Sequence, residues 1–196
     1  MPDFNFHQNL LLEDDRVLLR PLMREDYDAL APIALADKDI IRFSPRQIHT
    51  PELLQQYIQD ALQGKASAVR YPFILFDKNT QEYAGSTSIC AVSNFDKRLE
   101  IGYTWYGKKF QRTGLNRHCK WLLLNYAFET LRFERVEFKI DERNTVSQTA
   151  VHRLGATKEG ILRSHTVMSD DFRRNTVYFS ILKHEWELIK PNFPLY

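Results

Sequence analysis

The sequence predicts a mixed α/β (α+β) fold, in which helices pack on a central mixed sheet of mostly antiparallel strands. Three observations predict it. Short stretches rich in β-branched and aromatic residues alternate along the chain with longer stretches of helical periodicity. Residues 135–140, "RVEFKI", alternate apolar and charged side chains, as a strand with one buried face does. Residues 50–64, "TPELLQQYIQDALQG", combine an N-cap threonine, a proline at the first helical position and a closing glycine, which is typical of a helix.

The first half of the chain is predicted to supply one strand, two helices and three further strands. "RVLLRPL" has the apolar content of a strand, and "REDYDALAPIALA" follows it as a helix that we expect to be interrupted at Pro32. Two apolar runs flank the turn formers "DKNTQE" and predict an antiparallel hairpin, which an aromatic strand follows. The predicted elements are a strand at 16–22, helices at 24–36 and 50–64, and strands at 71–76, 83–92 and 98–106.

The second half is predicted to add two helices, one central strand and a closing hairpin. A largely buried helix begins at about Thr113 or Gly114, because apolar residues follow at helical spacing from Leu115 to Phe128. After the strand at 135–140, a short helix at 144–155 is capped by Asn144 and ended by a glycine. The closing strands are predicted at 157–168 and 175–186, around the turn "SDDF".

Length and composition restrict the classes of function. The 196 residues show no repeat or linker and predict a single domain, 1–196. The 27 Lys and Arg are balanced by 25 Asp and Glu, which argues against a nucleic-acid partner. Cys90 and Cys119 lie in apolar runs and are interpreted as reduced core residues, so a cytoplasmic location is expected. Neither a leader peptide nor a membrane span is predicted.

The segment "KKFQRTGLNR", residues 108–117, has the features of an anion site. A strand ends, a loop containing Gly114 follows, and a helix begins, so unpaired backbone N–H groups and the helix dipole favour a negative ligand there. A glycine removes the side chain where a phosphate approaches the backbone. The glycine spacings of the nucleotide-triphosphate loop and of the dinucleotide fingerprint are both absent from the sequence.

The motif "QRTGLN", residues 111–116, resembles the acyl-CoA pyrophosphate motif of the GNAT acetyltransferases, Gln/Arg-x-x-Gly-x-Gly/Ala, with Asn116 in place of the last small residue. "EIGYTWY" before it, "RVEFKIDERNTVSQTAVHRLGATKEGILRSH" after it and the closing "TVYFSILKHEW" are similar to the RimJ/RimL-type branch of that superfamily, in which asparagine at this position is a familiar variant. The resemblance covers about Arg16 to Trp186.

The resemblance implies a sheet splayed between its fourth strand, "IGYTWY", and its fifth, "RVEFKI", with acetyl-CoA as acyl donor in the gap. The pyrophosphate would rest on backbone N–H groups of residues 112–117, and pantetheine would pair with the backbone of residues 103–106. The implied acetyl-CoA contacts are Tyr103, Thr104, Trp105, Tyr106, Gln111, Arg112, Thr113, Gly114, Leu115, Asn116, Arg117, Asn144 and Ser147.

The implied reaction is direct acetyl transfer to a primary amine through a tetrahedral intermediate, which needs no metal. No metal site is predicted, because the histidines lack paired ligand spacing. By the resemblance, Ser147 is the candidate acid for the thiolate. The glutamate that serves as base in RimL-like enzymes aligns with Thr166, which leaves His165 as the candidate base. Strand alternation places these two side chains on opposite faces. Glu100 and Glu137, expected in exposed ion pairs, and a water-mediated route are the alternatives.

The acceptor stays open between a protein N-terminus and a small-molecule amine. Because Thr166 cannot act as a base, a second hypothesis is an acyl-CoA-binding sensor or scaffold without turnover. Binding of nucleic acid through Arg112, Arg117 and Lys120 is the third and weakest. A homodimer that pairs through the C-terminal strands is compatible with the sequence.

Overall fold

The computed structural model describes residues 2–193 and 195, and these form an eight-stranded mixed sheet flanked by helices, which confirms the predicted fold class. The strands are β1 (Leu12–Glu13), β2 (Val17–Pro21), β3 (Arg70–Asp77), β4 (Glu82–Ser93), β5 (Arg98–Tyr106), β6 (Arg135–Asp141), β7 (Thr157–Val167) and β8 (Arg173–Leu182). The helices are α1 (Tyr27–Ala34), α2 (Pro51–Ala66), α3 (Leu115–Asn125), α4 (Thr145–Arg153) and α5 (Lys183–Ile189). A π-helical turn, Tyr126–Thr130, continues α3.

The strands lie in the order β1-β2-β3-β4-β5-β6-β8-β7. Every neighbouring pair is antiparallel except β5 and β6, which are parallel because α3 crosses over between them. Their ladder holds only three residue pairs, Arg98 with Arg135, Leu99 with Val136 and Glu100 with Glu137. Beyond Glu100 the two strands separate, so the splay expected between "IGYTWY" and "RVEFKI" is present.

The two faces of the sheet carry separate apolar clusters. On one face, α1 and α2 pack against β3 and β5 through Leu30, Leu54, Ile74 and Trp105. On the other face, α3 and α5 cover the sheet, and the stripe that begins at Leu115 is buried as predicted. Within the described residues, no helix is long and apolar enough to cross a membrane.

Two predicted helix ends were wrong. The first helix continues through Pro32 to Ala34, because a proline near the end of so short a helix removes only one backbone hydrogen bond. The second helix continues past Gly64 to Ala66. A glycine is needed at position 64 for packing and not to end the helix, since a Cβ there would lie 3.0 Å from the Cβ of Arg70 on β3.

The closing strand was also predicted too long. It ends at Leu182, whose backbone N–H donates to the Glu185 carboxylate at 2.8 Å, and α5 begins at the next residue. This capping interaction turns the chain back over the sheet, where Trp186 is buried and stacks on Phe128 at a ring distance of 5.6 Å. The sequence "KHEW" is therefore helical.

Candidate active site

The unpaired edge of β5 lines the gap between β5 and β6. The register between β4 and β5 shifts between Ser86 and Ser88, and Tyr103 has a φ of 53°, so β5 carries a bulge at this point. In the part of the chain that the structure describes, the β5 ladder with β6 ends at Glu100. The backbone from 101 to 106 therefore offers hydrogen-bonding groups toward the gap, where an extended ligand can pair with it.

The aromatic residues of β5 have different environments. Trp105 is buried, and its Nε1 donates to the Tyr57 hydroxyl at 3.2 Å, so this side chain belongs to the core. Tyr103 is 48% exposed and stacks with the Arg70 guanidinium, which lies 4.0 Å from its ring centroid. The Tyr106 hydroxyl donates to Asn116 Oδ1 at 3.0 Å and joins β5 to the start of α3.

The loop before α3 has the backbone geometry of an anion site. Arg112 and Gly114 have φ values of 62° and 90°, and α3 begins at Leu115 without a side-chain cap. The Thr113 hydroxyl donates to the Phe110 carbonyl at 2.8 Å and fixes the loop. A Cβ at Gly114 would be strained by this φ and would lie 3.4 Å from Arg117 Nη2. The uncapped first turn leaves N–H groups that can bind a pyrophosphate.

A local contact explains why Asn116 stands where the motif of the GNAT acetyltransferases has a glycine or alanine. Its side chain accepts the hydrogen bond from Tyr106, which holds the amide against β5. Gln111 also contacts that strand end, because its Nε2 donates to the Tyr106 carbonyl at 3.1 Å. Among the basic residues, Lys109 is paired with Glu82 at 2.6 Å, while Lys108 and Arg112 are exposed.

A second helix begins at the same edge of the gap. Because β5 and β6 are parallel, the chain leaves both strands at one edge, and α3 and α4 start there. Asn144 caps α4 by accepting a hydrogen bond from the Ser147 backbone N–H at 3.1 Å, as predicted. Ser147 is half-buried on the first turn of α4. The geometry thus brings Asn144, Ser147 and the 112–117 loop to one edge of the sheet.

The structure places the candidate base His165 on the outermost strand. Its Nδ1 lies 3.1 Å from Thr176 Oγ1 and 3.3 Å from Thr166 Oγ1. The expectation that His165 and Thr166 lie on opposite faces was wrong, because β7 has an irregular register between Leu162 and Thr166 and Ser164 has a φ of 51°. His165 is exposed, and its assignment as base stays a prediction.

The two other candidate bases, Glu100 and Glu137, lie in ion pairs as expected. Contrary to the expectation, these pairs are not exposed. Glu100 accepts from Lys139 Nζ at 2.7 Å, and its side chain is only 13% exposed. Glu137 is buried and accepts from Arg135 Nε at 2.9 Å. Both stand at the last rung of the β5–β6 ladder, where they help to close the narrow end of the gap.

The cysteines are core residues, as interpreted. Cys90 and Cys119 are both free and buried. Burial raises the pKa of the Cys119 thiol to about 12, and burial also raises the pKa of the Cys90 thiol. Neither side chain has the exposed, electropositive setting of a nucleophilic thiolate.

A cavity of about 400 Å³ lies between the segment 35–50 and the turn of the β7–β8 hairpin, and its lining includes Arg143, one residue before the α4 cap. Arg143 stacks on Phe172, with the guanidinium 4.0 Å from the ring centroid, and Arg174 donates to the Phe43 carbonyl at 3.2 Å. The cavity also reaches His49, whose Nδ1 is buried without a hydrogen-bond partner in the described structure. The sequence suggested no role for His49, because the residues that line the cavity with it include Arg143 and residues 168–170, which are distant in the chain.

Lys120 was named only in the weakest hypothesis, as a contact for nucleic acid, and the structure instead buries its side chain. The side chain is 5% exposed and points from α3 into the region between β5 and β6. Its Nζ donates to Thr104 Oγ1 of β5 at 2.9 Å and lies 5.8 Å from the Phe138 ring of β6. Burial lowers the pKa of Lys120 to about 8. Its position four residues before Leu124 is the sequence signal that could have placed it on the buried face.

One cluster of possible metal ligands lies outside the gap. Carboxylate oxygens of Asp14 and Asp15 and a ring nitrogen of His118 lie within 4.8 Å of one another, a proximity that sequence spacing did not show. His118 Nδ1 is 2.8 Å from Asp14 Oδ2, and Asp14 also accepts from the Arg16 and Val17 backbone N–H groups. These contacts explain the cluster as a link between the turn after β1 and α3.

Comparison with known proteins agrees with the geometry. An acetyltransferase (GNAT) domain model matches residues 16–157. The N-acetyltransferase p20 of Bacillus licheniformis, described as uncharacterized, is 28% identical over 181 residues, which cover 89% of this chain and 97% of the relative. YdaF of Bacillus subtilis (strain 168), described as a candidate ribosomal N-acetyltransferase, is 32% identical over 103 residues, 53% of this chain and 55% of the relative.

Solved structures agree over nearly the whole chain. A candidate acetyltransferase from T. thermophilus superposes with a TM-score of 0.86 and 33% identity, covering 98% of this chain and 97% of that one. Because these relatives are named as acetyltransferases, the sensor alternative is not favoured. The domain match, the splayed sheet and the glycine loop at the start of α3 lead to one conclusion: this chain belongs to the GNAT family of acetyltransferases.

Proposed function

We propose that the protein transfers an acetyl group from acetyl-CoA to a primary amine, as a RimJ/RimL-type N-acetyltransferase. The observation that carries this proposal is the gap between β5 and β6, which opens toward the edge where α3 begins with an uncapped first turn. A slot beside an unpaired strand suits an extended pantetheine chain, and a helix start suits the pyrophosphate.

The residues present fit acetyl-CoA. The φ of 90° at Gly114 and its missing Cβ leave room at the start of α3. The pyrophosphate is proposed to rest on N–H groups of the 112–117 segment, in which the Arg117 N–H also donates to the Gly114 carbonyl at 2.8 Å. Residues 103–106 supply the backbone for pantetheine, and the bulge at Tyr103 turns the backbone groups there out of the regular ladder. Asn144 and Ser147 complete the site from the other side of the gap.

In the proposed reaction, the neutral amine attacks the thioester carbonyl carbon, the C–S bond breaks, and the thiolate takes a proton. Ser147 is the proposed donor of that proton. The amine loses its own proton to His165 or to water, because Glu100 and Glu137 are already paired with cations. This reaction needs positioned hydrogen-bond donors for the oxyanion of the tetrahedral intermediate, which backbone N–H groups at the β5 bulge can supply.

The acceptor amine is proposed to enter through the cavity beside Arg143 and His49. This cavity reaches Arg143, one residue before the α4 cap, and is walled by two segments distant in sequence, as expected for a site that selects a second substrate. Both a protein N-terminus and a small-molecule amine remain candidate acceptors. The similarity to YdaF, described as a candidate ribosomal N-acetyltransferase, favours testing a protein N-terminus first.

Release of the coenzyme A thiol from acetyl-CoA tests the proposal, with a panel of amines and N-blocked controls. Turnover that requires a free amine supports the transferase. Saturable binding of acetyl-CoA without thiol release for any amine would instead establish the sensor.

The remaining parts of the proposal concern the setting of the enzyme. We propose one domain, 1–196, in the cytoplasm, without a bound metal and without nucleic-acid or membrane partners. A homodimer is compatible with the exposed edge strand β7, whose exposed apolar side chains include Ile161 and Leu162. Sedimentation measurements test the oligomeric state.

A further inference from the structure

Lys120 is a buried lysine that the proposed reaction does not use. It projects from α3, and its ammonium group reaches Thr104 on β5 and the face of Phe138 on β6. Both residues lie beyond the last paired rung of the β5–β6 ladder at Glu100 and Glu137. The Lys120 ammonium group therefore lies at the inner wall of the gap.

Among the described residues, no acidic side chain compensates this charge. Within residues 2–193 and 195, the structure pairs Lys120 with no carboxylate, and Thr104 Oγ1 is its hydrogen-bond acceptor. The titratable groups that face it are the thiols of Cys119 on α3 and Cys90 on β4, while β5 and β6 present Thr104 and Phe138. A buried ammonium has three donors and is costly without partners, so a buried lysine at the wall of a cleft is a candidate ligand contact.

The environment restricts what that ligand can be. Thr104 Oγ1, which also lies 2.7 Å from Thr87 Oγ1, takes one of the three donors and holds the ammonium group in place. In the described part of the chain, the other two donors have no hydrogen-bond acceptor and can meet one in the gap. The Phe138 ring beside the ammonium group suits a slender, largely uncharged chain, and the ammonium donors suit its carbonyl oxygens.

We propose that Lys120 is a contact residue for the acyl-pantetheine arm, and that its ammonium group donates a hydrogen bond to an amide or thioester carbonyl oxygen of that arm. This inference rests on the proposed function, because it requires the arm to lie between β5 and β6. Thr104 then acts as a positioning residue, since it orients the ammonium group through a hydrogen bond.

The test compares two ligands. Acetyl-CoA contains the arm, whereas adenosine 3′,5′-bisphosphate carries the nucleotide without it. Calorimetry on Lys120→Met is expected to show a loss of acetyl-CoA affinity of about 10- to 100-fold, the range for a hydrogen bond to a charged group, with unchanged affinity for the bisphosphate. Lys158→Met, which alters an exposed lysine on β7, serves as the matched control and is expected to leave both affinities unchanged.

Other outcomes distinguish failure of the Lys120 inference from failure of the proposed function. Acetyl-CoA affinity that stays within about twofold in Lys120→Met overturns the proposal, as does an equal loss for both ligands. If neither ligand binds the unaltered protein, the proposed function fails instead. Thr104→Val removes only the positioning hydroxyl and is expected to give a smaller loss for acetyl-CoA alone, and no loss in that variant would remove Thr104 from the account.

A pH series adds a readout that a merely structural role would not change. Because the Lys120 pKa is lowered to about 8, the ammonium form decreases as the pH rises through that value. Acetyl-CoA affinity of the unaltered protein is therefore expected to weaken between about pH 7 and 9 relative to Lys120→Met. Parallel pH profiles for the two proteins would contradict the inference.

Discussion

Replacing Lys120 with methionine is expected to stabilise the protein in the absence of ligand. Burial lowers the Lys120 pKa from its ordinary 10.5 to about 8, which means that folding disfavours the charged form. At ~1.4 kcal/mol for each tenfold change, this depression corresponds to about 3 kcal/mol at neutral pH. Methionine has a similar length and no charge, so it removes this penalty and loses only the hydrogen bond to Thr104.

Thermal unfolding of the ligand-free protein measures the effect. For a chain of this length, ~2–4 °C per kcal/mol predicts a rise in Tm of up to about 6–12 °C for Lys120→Met at pH 7. The sign of the pH dependence follows from linkage. Between about pH 8 and 10.5 the unfolded chain binds more protons at Lys120 than the folded chain, so the stability of the unaltered protein rises relative to Lys120→Met.

The advantage of the variant should therefore shrink as the pH rises from 8 toward 10.5. Lys158→Met, on the exposed β7 strand, is expected to change the Tm little at any pH. A Lys120→Met protein that is less stable than the unaltered protein at pH 7, or whose advantage does not depend on pH, would show that no uncompensated charge is buried in the gap.

Three further predictions test the site and the core. Ser147→Ala is expected to lower kcat more than it weakens acetyl-CoA binding. The control Thr149→Ala, at an exposed position on the same helix, should leave both unchanged. Equal kcat in the two variants would remove Ser147 from the mechanism. Cys90 and Cys119 should resist alkylation in the folded protein at pH 8 and react on unfolding, because burial raises both thiol pKa values; rapid labelling of the native protein would contradict this. Leu123→Ala, at a fully buried position of α3, should destabilise the protein by about 2–5 kcal/mol in urea unfolding, and a loss below about 1 kcal/mol would argue against the packing described for α3.

The loop at Gly114 and the cap at Asn144 could be predicted from sequence because each is local. A glycine at a strand-to-helix junction and an asparagine three residues before its N–H partner act within a few residues of chain. The splay between β5 and β6 came from the family resemblance, and the structure shows the short ladder that produces it.

The buried position of Lys120 was missed because a charged residue in an amphipathic helix is assigned by default to the solvent face. The buried face of α3 that begins at Leu115 is wide enough to include residue 120, which lies one turn before the buried Leu124. The cavity beside His49 was missed for a different reason. It is formed by the contact between the segment 35–50 and the β7–β8 turn, more than a hundred residues apart, and no local pattern encodes that contact.

Calorimetric titration with acetyl-CoA tests whether the start of α3 is the coenzyme A site, with Gly114→Asp and Gly160→Asp compared to the unaltered protein. Gly114→Asp places a carboxylate against the proposed pyrophosphate position, whereas a side chain at Gly160 on β7 would meet no atom within 4 Å. Micromolar-range binding is expected for the unaltered protein and Gly160→Asp, with a loss of at least ~100-fold for a folded Gly114→Asp. Equal affinity in all three proteins would contradict the assignment of the α3 start as the coenzyme A site.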